Sequence, residues 1–459
     1  MNPQNKWISF VSKIFFILLF LFFFVPKAWS GTIFEFHPFL ETESQYNDNI
    51  FYARSDTRSD WITTISPGFI TSLSHPRFYY KLEYKPGFVY YLHNPVNDYD
   101  SQKVNFNATI ELTSRLTFSF YEHYSRSNQI LFEELSETDY EREVRRRTLA
   151  TYNRNIISPK LEYSFGRENS ISFLYRNTGY KSSNPFDDDQ REQYVENRIK
   201  YWFNIKNGIN FLFHFTKGNF DIEPDLLHSI DITARYIRRF TPHFELYGEY
   251  GYGETDFEDR RFFQDLDDRR EFQVESEDKD DYDLQKINIG FDWVFPWNVS
   301  MKGSIGYYWR NGVGNSDDQG INSLFKINKS TKNIFVDLKW ESGSSANFFA
   351  LRDSGFTEFW RISNTLTYRY HERLEFKIRS SYGYREYLDD RGDIVPRRKN
   401  REEYRYDTKT LITYHMLQNY GFLKNLSLEF EFNYSENDSN RDFDYYINRS
   451  YTGRIIATF

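Results

Sequence analysis

The sequence predicts an all-β fold: an up-and-down antiparallel β-barrel that crosses a membrane with its strands. Three observations carry that expectation. Hydrophobic residues alternate with period two along most of the chain, short turns and long polar segments take turns, and the last strand ends on Phe459. Composition agrees. The 459 residues include 46 Phe and 37 Tyr, too aromatic for a disordered chain despite a mean hydropathy of −0.73. With no cysteine there is no disulfide scaffold, Cys-based zinc site, cysteine nucleophile or lipid-anchor Cys. The net charge of −8 speaks against a nucleic-acid partner, which asks for a basic face.

The first element is an export signal. Lys6 and Lys13 precede the apolar run Ile14–Val25, and Ala28-Trp29-Ser30 places small residues before a cleavage point at Gly31. The run is shorter than the ~20 residues a membrane helix needs. Residues 1–30 are therefore expected to be removed, leaving 31–459 as the barrel. Loss of Lys6, Lys13 and Lys27, with no acid, takes the net charge from −8 to −11.

Strands follow from alternation. Ile209, Phe211, Phe213 and Phe215 share one face, with Asn210, Leu212 and His214 on the other. Ile287, Ile289, Phe291 and Trp293 alternate with Lys286, Asn288, Gly290 and Asp292. Leu374, Phe376 and Ile378 alternate with Glu375, Lys377 and Arg379; Leu426, Leu428, Phe430 and Phe432 alternate with Ser427, Glu429, Glu431 and Asn433. A helix through 426–433 has no usable apolar face. Read in this way, strands fall at 33–46, 61–73, 77–92, 101–113, 116–127, 149–165, 170–182, 192–206, 209–220 and 227–240. They continue at 243–256, 282–295, 299–311, 331–341, 346–353, 356–370, 374–388, 402–417, 424–435 and 443–459. The 331–353 hairpin is the weakest, so the expected count is about 18, within 16–20. Barrels of that size leave an aqueous lumen. Strand one starts close to Gly31, which leaves no room for an N-terminal plug.

A soluble β-sandwich also alternates, but it has no reason to sort its connections. Tight links are expected at Ser74–Pro76, Ser114-Arg115, Arg167–Asn169, Asn207-Gly208, Thr241–His243, Pro296–Asn298 and His371–Arg373. Asn-Gly is the strongest hairpin signal among them. Long polar segments separate them at Asn47–Asp60, Asn94–Asp100, Leu131–Arg147, Ser183–Gln190, Glu258–Asp281, Gly314–Gly320 and Asp389–Asn400. That layout is the one outer-membrane barrels have. In the last strand Tyr451, Gly453, Ile455, Ala457 and Phe459 share a face, which resembles the C-terminal targeting strand by which bacterial outer-membrane barrels are recognised for insertion by the barrel-assembly machinery. The expected location is a bacterial outer membrane, with its lipid and lipopolysaccharide as partners.

Candidate chemistry is sparse. No metal-ligand spacing appears among the nine His, and no cofactor or catalytic constellation is expected. His123 with Ser119 and Ser125 is the one neighbourhood that distantly suggests a hydrolase, against the plainer reading of a rim histidine. The acidic loop Glu258–Asp283 and the basic run Arg397–Arg401 are solvated loops, or contacts to divalent cations and lipopolysaccharide phosphates. Charges opposite the apolar faces say more. Lys81, Glu83, Lys85, Glu245, Glu249, Lys286, Asp292, Glu375, Lys377, Arg379, Glu429 and Glu431 cannot face lipid cheaply. They are expected to line the lumen, either of a water-filled channel or as ladders that brace the wall.

Tyr46-Asn47-Asp48-Asn49-Ile50-Phe51, followed by Ser66-Pro67-Gly68-Phe69, resembles the opening of the type-2 outer-membrane β-barrel porin family. That family includes outer-membrane proteins encoded beside capsule or exopolysaccharide loci, some linked to exosortase sorting systems. The resemblance spans about 25 residues; beyond them only the architecture is alike. It implies a porin-like barrel with a role in polysaccharide export or assembly, and exopolysaccharide or its export proteins as partners. A non-conducting barrel whose long loops bind partners is the alternative.

Overall fold

The computed structural model describes residues 31–128, 151–183, 189–220, 226–258, 281–312, 318–347, 355–388, 401–440 and 445–459. The expected signal peptide, 1–30, lies outside the described residues. So do 131–147, the basic run 397–400, and most of the acidic loop, 259–280.

The described residues form twenty strands: β1 (Ile33–Asn47), β2 (Asp60–His75), β3 (Phe78–Tyr91), β4 (Tyr99–Glu111), β5 (Leu116–Ser127), β6 (Tyr152–Ser164), β7 (Ser170–Ser182), β8 (Gln190–Trp202), β9 (Asn207–Phe220) and β10 (Leu226–Thr241). The second half comprises β11 (Phe244–Glu258), β12 (Tyr282–Phe295), β13 (Val299–Gly312), β14 (Asp318–Ser330), β15 (Ile334–Asn347), β16 (Gly355–Tyr370), β17 (Leu374–Leu388), β18 (Arg401–Tyr420), β19 (Leu423–Ser439) and β20 (Tyr446–Thr458). Each pairs antiparallel with its neighbours in sequence. β1 pairs with β20 over Phe39↔Thr458 to Asn47↔Ser450, so the sheet closes and has no free edge. Closure pairs the backbone groups of neighbouring strands around the whole circle, which is what permits strands to cross lipid.

Links from even to odd strands hold two to five residues, while the others hold five to twenty-four. Both ends of the described chain lie at the short-turn end. The expected count of about eighteen becomes twenty, and the correction falls on one hairpin. Residues 318–330, left partly in a polar segment, form β14, and one strand, β15, replaces the two expected at 331–341 and 346–353. The turn is Thr331–Asn333, where the Thr331 hydroxyl accepts from Ile334 N at 3.0 Å. Ile321, Ser323, Phe325 and Ile327 do alternate, but Ser323 and Leu324 weaken the contrast between the two faces.

Asn207-Gly208 is also corrected: it opens β9 and is not the turn. The turn is Phe203–Lys206, closed by the Asn204 side chain, which accepts from Lys206 N at 2.9 Å and Asn207 N at 3.0 Å. Gly208 is needed because the Trp202 ring lies over it; a Cβ there would sit 2.8 Å from the ring.

Register divides each strand into two faces. The convex outer face carries exposed Leu40, Ile171, Ile199, Ile289, Ile305, Ile378, Phe430 and Ile455. Two aromatic bands bound it. Near the short turns run Tyr163, Phe165, Tyr201 and Phe203, and then Phe240, Phe244, Trp293 and Phe295. Toward the long loops run Tyr46–Trp61, Trp360–Tyr382, Tyr384–Tyr404 and Phe432–Tyr451. An apolar band between two aromatic girdles is the surface of a transmembrane barrel.

Candidate functional site

The inner wall is built from the polar half of each alternation. All twelve residues expected to line the lumen sit on that face. Glu83 accepts from Asn105 at 3.4 Å and Lys85 pairs with Glu41 at 2.8 Å. Glu245 pairs with Arg239 at 2.7 Å, and Glu249 with Arg235 at 2.6 Å. Asp292 meets Lys302 at 3.5 Å and Glu375 meets Arg369 at 2.7 Å. Lys286 stands opposite Gly251 and Tyr308 in the ladder. Lys377 stands opposite Thr367 and Leu411, and Arg379 opposite Thr365 and Lys409. Lys81 stands opposite Ser72 and Asn107.

Glu429 and Glu431 belong to the densest cluster, at the seam where first and last strands meet. Arg454 of β20 reaches Glu43 at 2.8 Å and Glu41 at 3.2 Å on β1, and Glu429 at 2.7 Å and Glu431 at 3.9 Å on β19. Lys409 meets Glu431 at 3.0 Å. Arg361 with Glu341, Lys339 with Glu341, Arg405 with Asp407, and Arg401 with Glu403 extend such pairs along β15–β18. Glu41, Glu43, Lys409 and Arg454 are further wall residues beyond the twelve expected from sequence. The available signal was phase: Arg454 is out of step with Tyr451, Gly453, Ile455, Ala457 and Phe459, and so must point inward.

Tyr451, Gly453, Ile455 and Ala457 occupy the outer face of β20, opposite Tyr46, Ser44, Thr42 and Leu40 of β1, and Phe459 follows the strand's end. Phe459 N donates to Pro38 O at 2.8 Å, and its ring stacks on Phe422 at 5.9 Å.

The long-loop mouth holds a second construction. The link 48–59 between β1 and β2 folds against the inner wall. Asn49, buried, donates to Ala53 O and Ile447 O at 2.8 Å each and accepts from Ala53 N at 2.9 Å. Asn448 donates to Asn47 Oδ1 and Asn49 O, both at 2.7 Å. Ile50 is buried with Ile62, Val89 and Tyr91, and Phe51 packs against them. Tyr52 turns the other way, edge-on to Tyr446 at 5.1 Å, and adopts a positive φ of 52°. Burial pushes its phenol up to about 12, partly offset by nearby Arg405. Arg54 lies over the Tyr445 ring and Arg58 over Phe51. The loop thus lines an arc of the mouth from β18 to β4. Asp60 anchors its far end, accepting from Trp61 N, His93 N and Asn94 Nδ2 at 2.7–3.0 Å.

The two motifs behind the family resemblance are both parts of this structure. Tyr46–Phe51 makes the inward loop. Ser66-Pro67-Gly68 leaves a gap in the β2–β3 ladder, opposite Lys85-Pro86-Gly87. Neither Pro67 nor Pro86 has an N–H to give to a ladder, and the Phe39 ring lies where a Cβ of residue 68 would be.

His123 is buried on the inner face of β5, its Nδ1 2.6 Å from Asn105 Oδ1. Glu168, in the turn between β6 and β7, is held below the usual carboxylate range by the hydrogen bond it accepts from Arg239. Arg239 also stacks 4.0 Å over Trp202.

Comparison with protein-family models and with curated proteins finds no match to the sequence. Among solved structures, OccAB2 of Acinetobacter baumannii aligns over 93% of this chain and 98% of its own, at 12% identity and TM-score 0.39. OccK2 (OpdF) of Pseudomonas aeruginosa, in complex with glucuronate, aligns over 94% and 99%, at 8% identity and TM-score 0.39. The siderophore receptor PirA of Pseudomonas aeruginosa aligns over 92% and 80%, at 8% identity and TM-score 0.49. At these scores the likenesses carry no argument about this chain; its barrel rests on its own strand pairing.

Proposed function

We propose that this chain is a porin-like channel of a bacterial outer membrane, whose mouth is narrowed along one arc by the 48–59 loop. The observation that carries the reading is a closed twenty-stranded wall with a polar, charged inner face and an apolar, girdled outer face. The wall charges are of both signs and largely paired with one another. Strong selectivity comes from rings of one sign, so this lumen passes small hydrophilic solutes with weak ionic preference.

The inward loop and the ion-paired wall also favour a second reading, a barrel closed to ions whose long loops bind partners. An association with exopolysaccharide export draws support from Tyr46–Phe51 and Ser66–Gly68 through the family they resemble. Lipopolysaccharide, the barrel-assembly machinery and polysaccharide export proteins are the partners this reading implies, and export requires removal of residues 1–30.

Planar-bilayer recording of the purified chain separates the readings. Discrete conductance steps with a reversal potential near zero in a salt gradient are expected. Absence of conductance rejects the channel and leaves the closed barrel.

A further inference from the structure

The outer face is not apolar all round. On β5, Phe106–Phe120 ring contact at 5.9 Å and the Tyr124–Asn153 hydrogen bond at 3.1 Å fix the outward set, which contains Glu122. His123, bonded to Asn105, points the other way. Glu122 stands between Phe106 on β4 and Ile157 on β6. It lies six residues beyond the start of β5 at the short-turn end. At ~2.5 Å of depth per tilted residue, that is near the middle of a ~25 Å hydrocarbon band. Among the described residues, Glu122 has no ion-pair or hydrogen-bond partner, and it is the one acid or base at this depth on the outer face.

Amides surround it on the same face. Asn155 follows on β6, Asn177 on β7, and Gln193 and Asn197 on β8. Asn197 lies five residues from the short-turn end of its strand, at the depth of Glu122, and is flanked by Phe173 and Phe213. Elsewhere this depth carries residues such as Ile289, Ile305, Ile378 and Phe430; Asn364 is an exception, and Ser380 is bonded to Thr408. Lipid supplies no hydrogen bond to a carboxylate or an amide at mid-depth, so such groups there mark contact with protein.

We propose that the outer face of β5–β8 is the contact through which copies of this chain assemble in the membrane, with Glu122 of one copy accepting a hydrogen bond from the Asn197 amide of the next. The occupant follows from complementarity. The patch carries an acceptor, Glu122, at its β5 edge and a donor, Asn197, at its β8 edge, at matching depth. Copies inserted in the same direction are related by rotation about the membrane normal, which preserves depth. A head-to-tail contact of this kind closes into a ring. The inference rests on the transmembrane orientation and is independent of whether the lumen conducts.

The chain has no cysteine, so a pair can be introduced cleanly. In Glu122→Cys/Asn197→Cys the two thiols of one copy are three strands apart, beyond disulfide reach. Oxidation in native membranes is expected to give a ladder of linked copies that either single variant lacks. In nanodiscs the wild-type chain is expected at multimer mass, and Glu122→Leu/Asn197→Leu at single-chain mass, with heat-modifiable migration retained as proof of a folded barrel. A wild-type chain of single-chain mass together with no cross-linked ladder overturns the proposal, as does co-purification with a different protein seated on this face. A disulfide-linked dimer from Glu122→Cys alone overturns the head-to-tail arrangement in favour of a two-fold one.

Discussion

Arg454 is the residue on which the seam turns. Its guanidinium is shared by carboxylates of β1 and β19, so Arg454→Ala leaves Glu41, Glu43, Glu429 and Glu431 facing one another with Lys85 and Lys409 at the margins. Stranding one side of a half-buried cluster costs on the order of 1–3 kcal/mol, less than a fully buried pair because water screens it. Arg454→Ala should therefore lower the temperature at which the barrel loses its compact gel mobility, and Arg454→Lys should recover part of it. Equal melting of all three would assign the cluster no part in closure. At this scale the sequence was legible where phase alone decides: Glu429 and Glu431 are inward because Phe430 is outward. Pairing partners were not legible, because Glu41 and Arg454 are more than four hundred positions apart and only register brings them together.

At the scale of elements, the loop 48–59 behaves as a folded unit with its own polar clasp. Asn49→Ala removes three hydrogen bonds, two to Ala53 and one to Ile447. At about 1 kcal/mol each, the seated loop loses on the order of 1–3 kcal/mol. Tryptic cleavage after Arg54 or Arg58 should then accelerate by about tenfold for every 1.4 kcal/mol lost, since cutting follows the open population. An unchanged cleavage rate would show that Ile50 and Phe51 hold the loop without the clasp. In sequence this stretch read as one polar segment among several. Its inward course depends on Ile62, Val89 and Tyr91, which present an apolar patch on an otherwise polar inner face, and period-two counting treats that patch as noise. The missing strand β14 has a related cause: Ser323 and Leu324 blur the two faces, and the chain's contribution shows only through its pairs Ser323↔Ser342 and Phe325↔Trp340.

For the molecule as a whole, closure depends on the last residues. Deleting Phe459 removes the Phe422 stack and the bond to Pro38, and removes the terminal aromatic of the outward set. Assembly into the heat-modifiable form should fall far more than on shortening the segment within Glu258–Asp281, because an open seam exposes strand edges while loop length is tolerated. Equal losses would contradict the assignment of strand and loop. The class of fold was readable because alternation and loop asymmetry recur around the whole chain, so an error in one hairpin leaves the architecture intact.

The clasp of Asn49 on Ile447, and of Asn448 on Asn47, has a temporal meaning. Chain order places its two halves at opposite ends of synthesis and insertion. That clasp cannot close until β20 has arrived beside β1, whereas the packing of Ile50 on Ile62, Val89 and Tyr91 needs only β2 and β3. Closing of that clasp therefore follows the meeting of the first and last strands, and any added protection of Arg54 and Arg58 that depends on Asn448 reports that the circle of strands is complete.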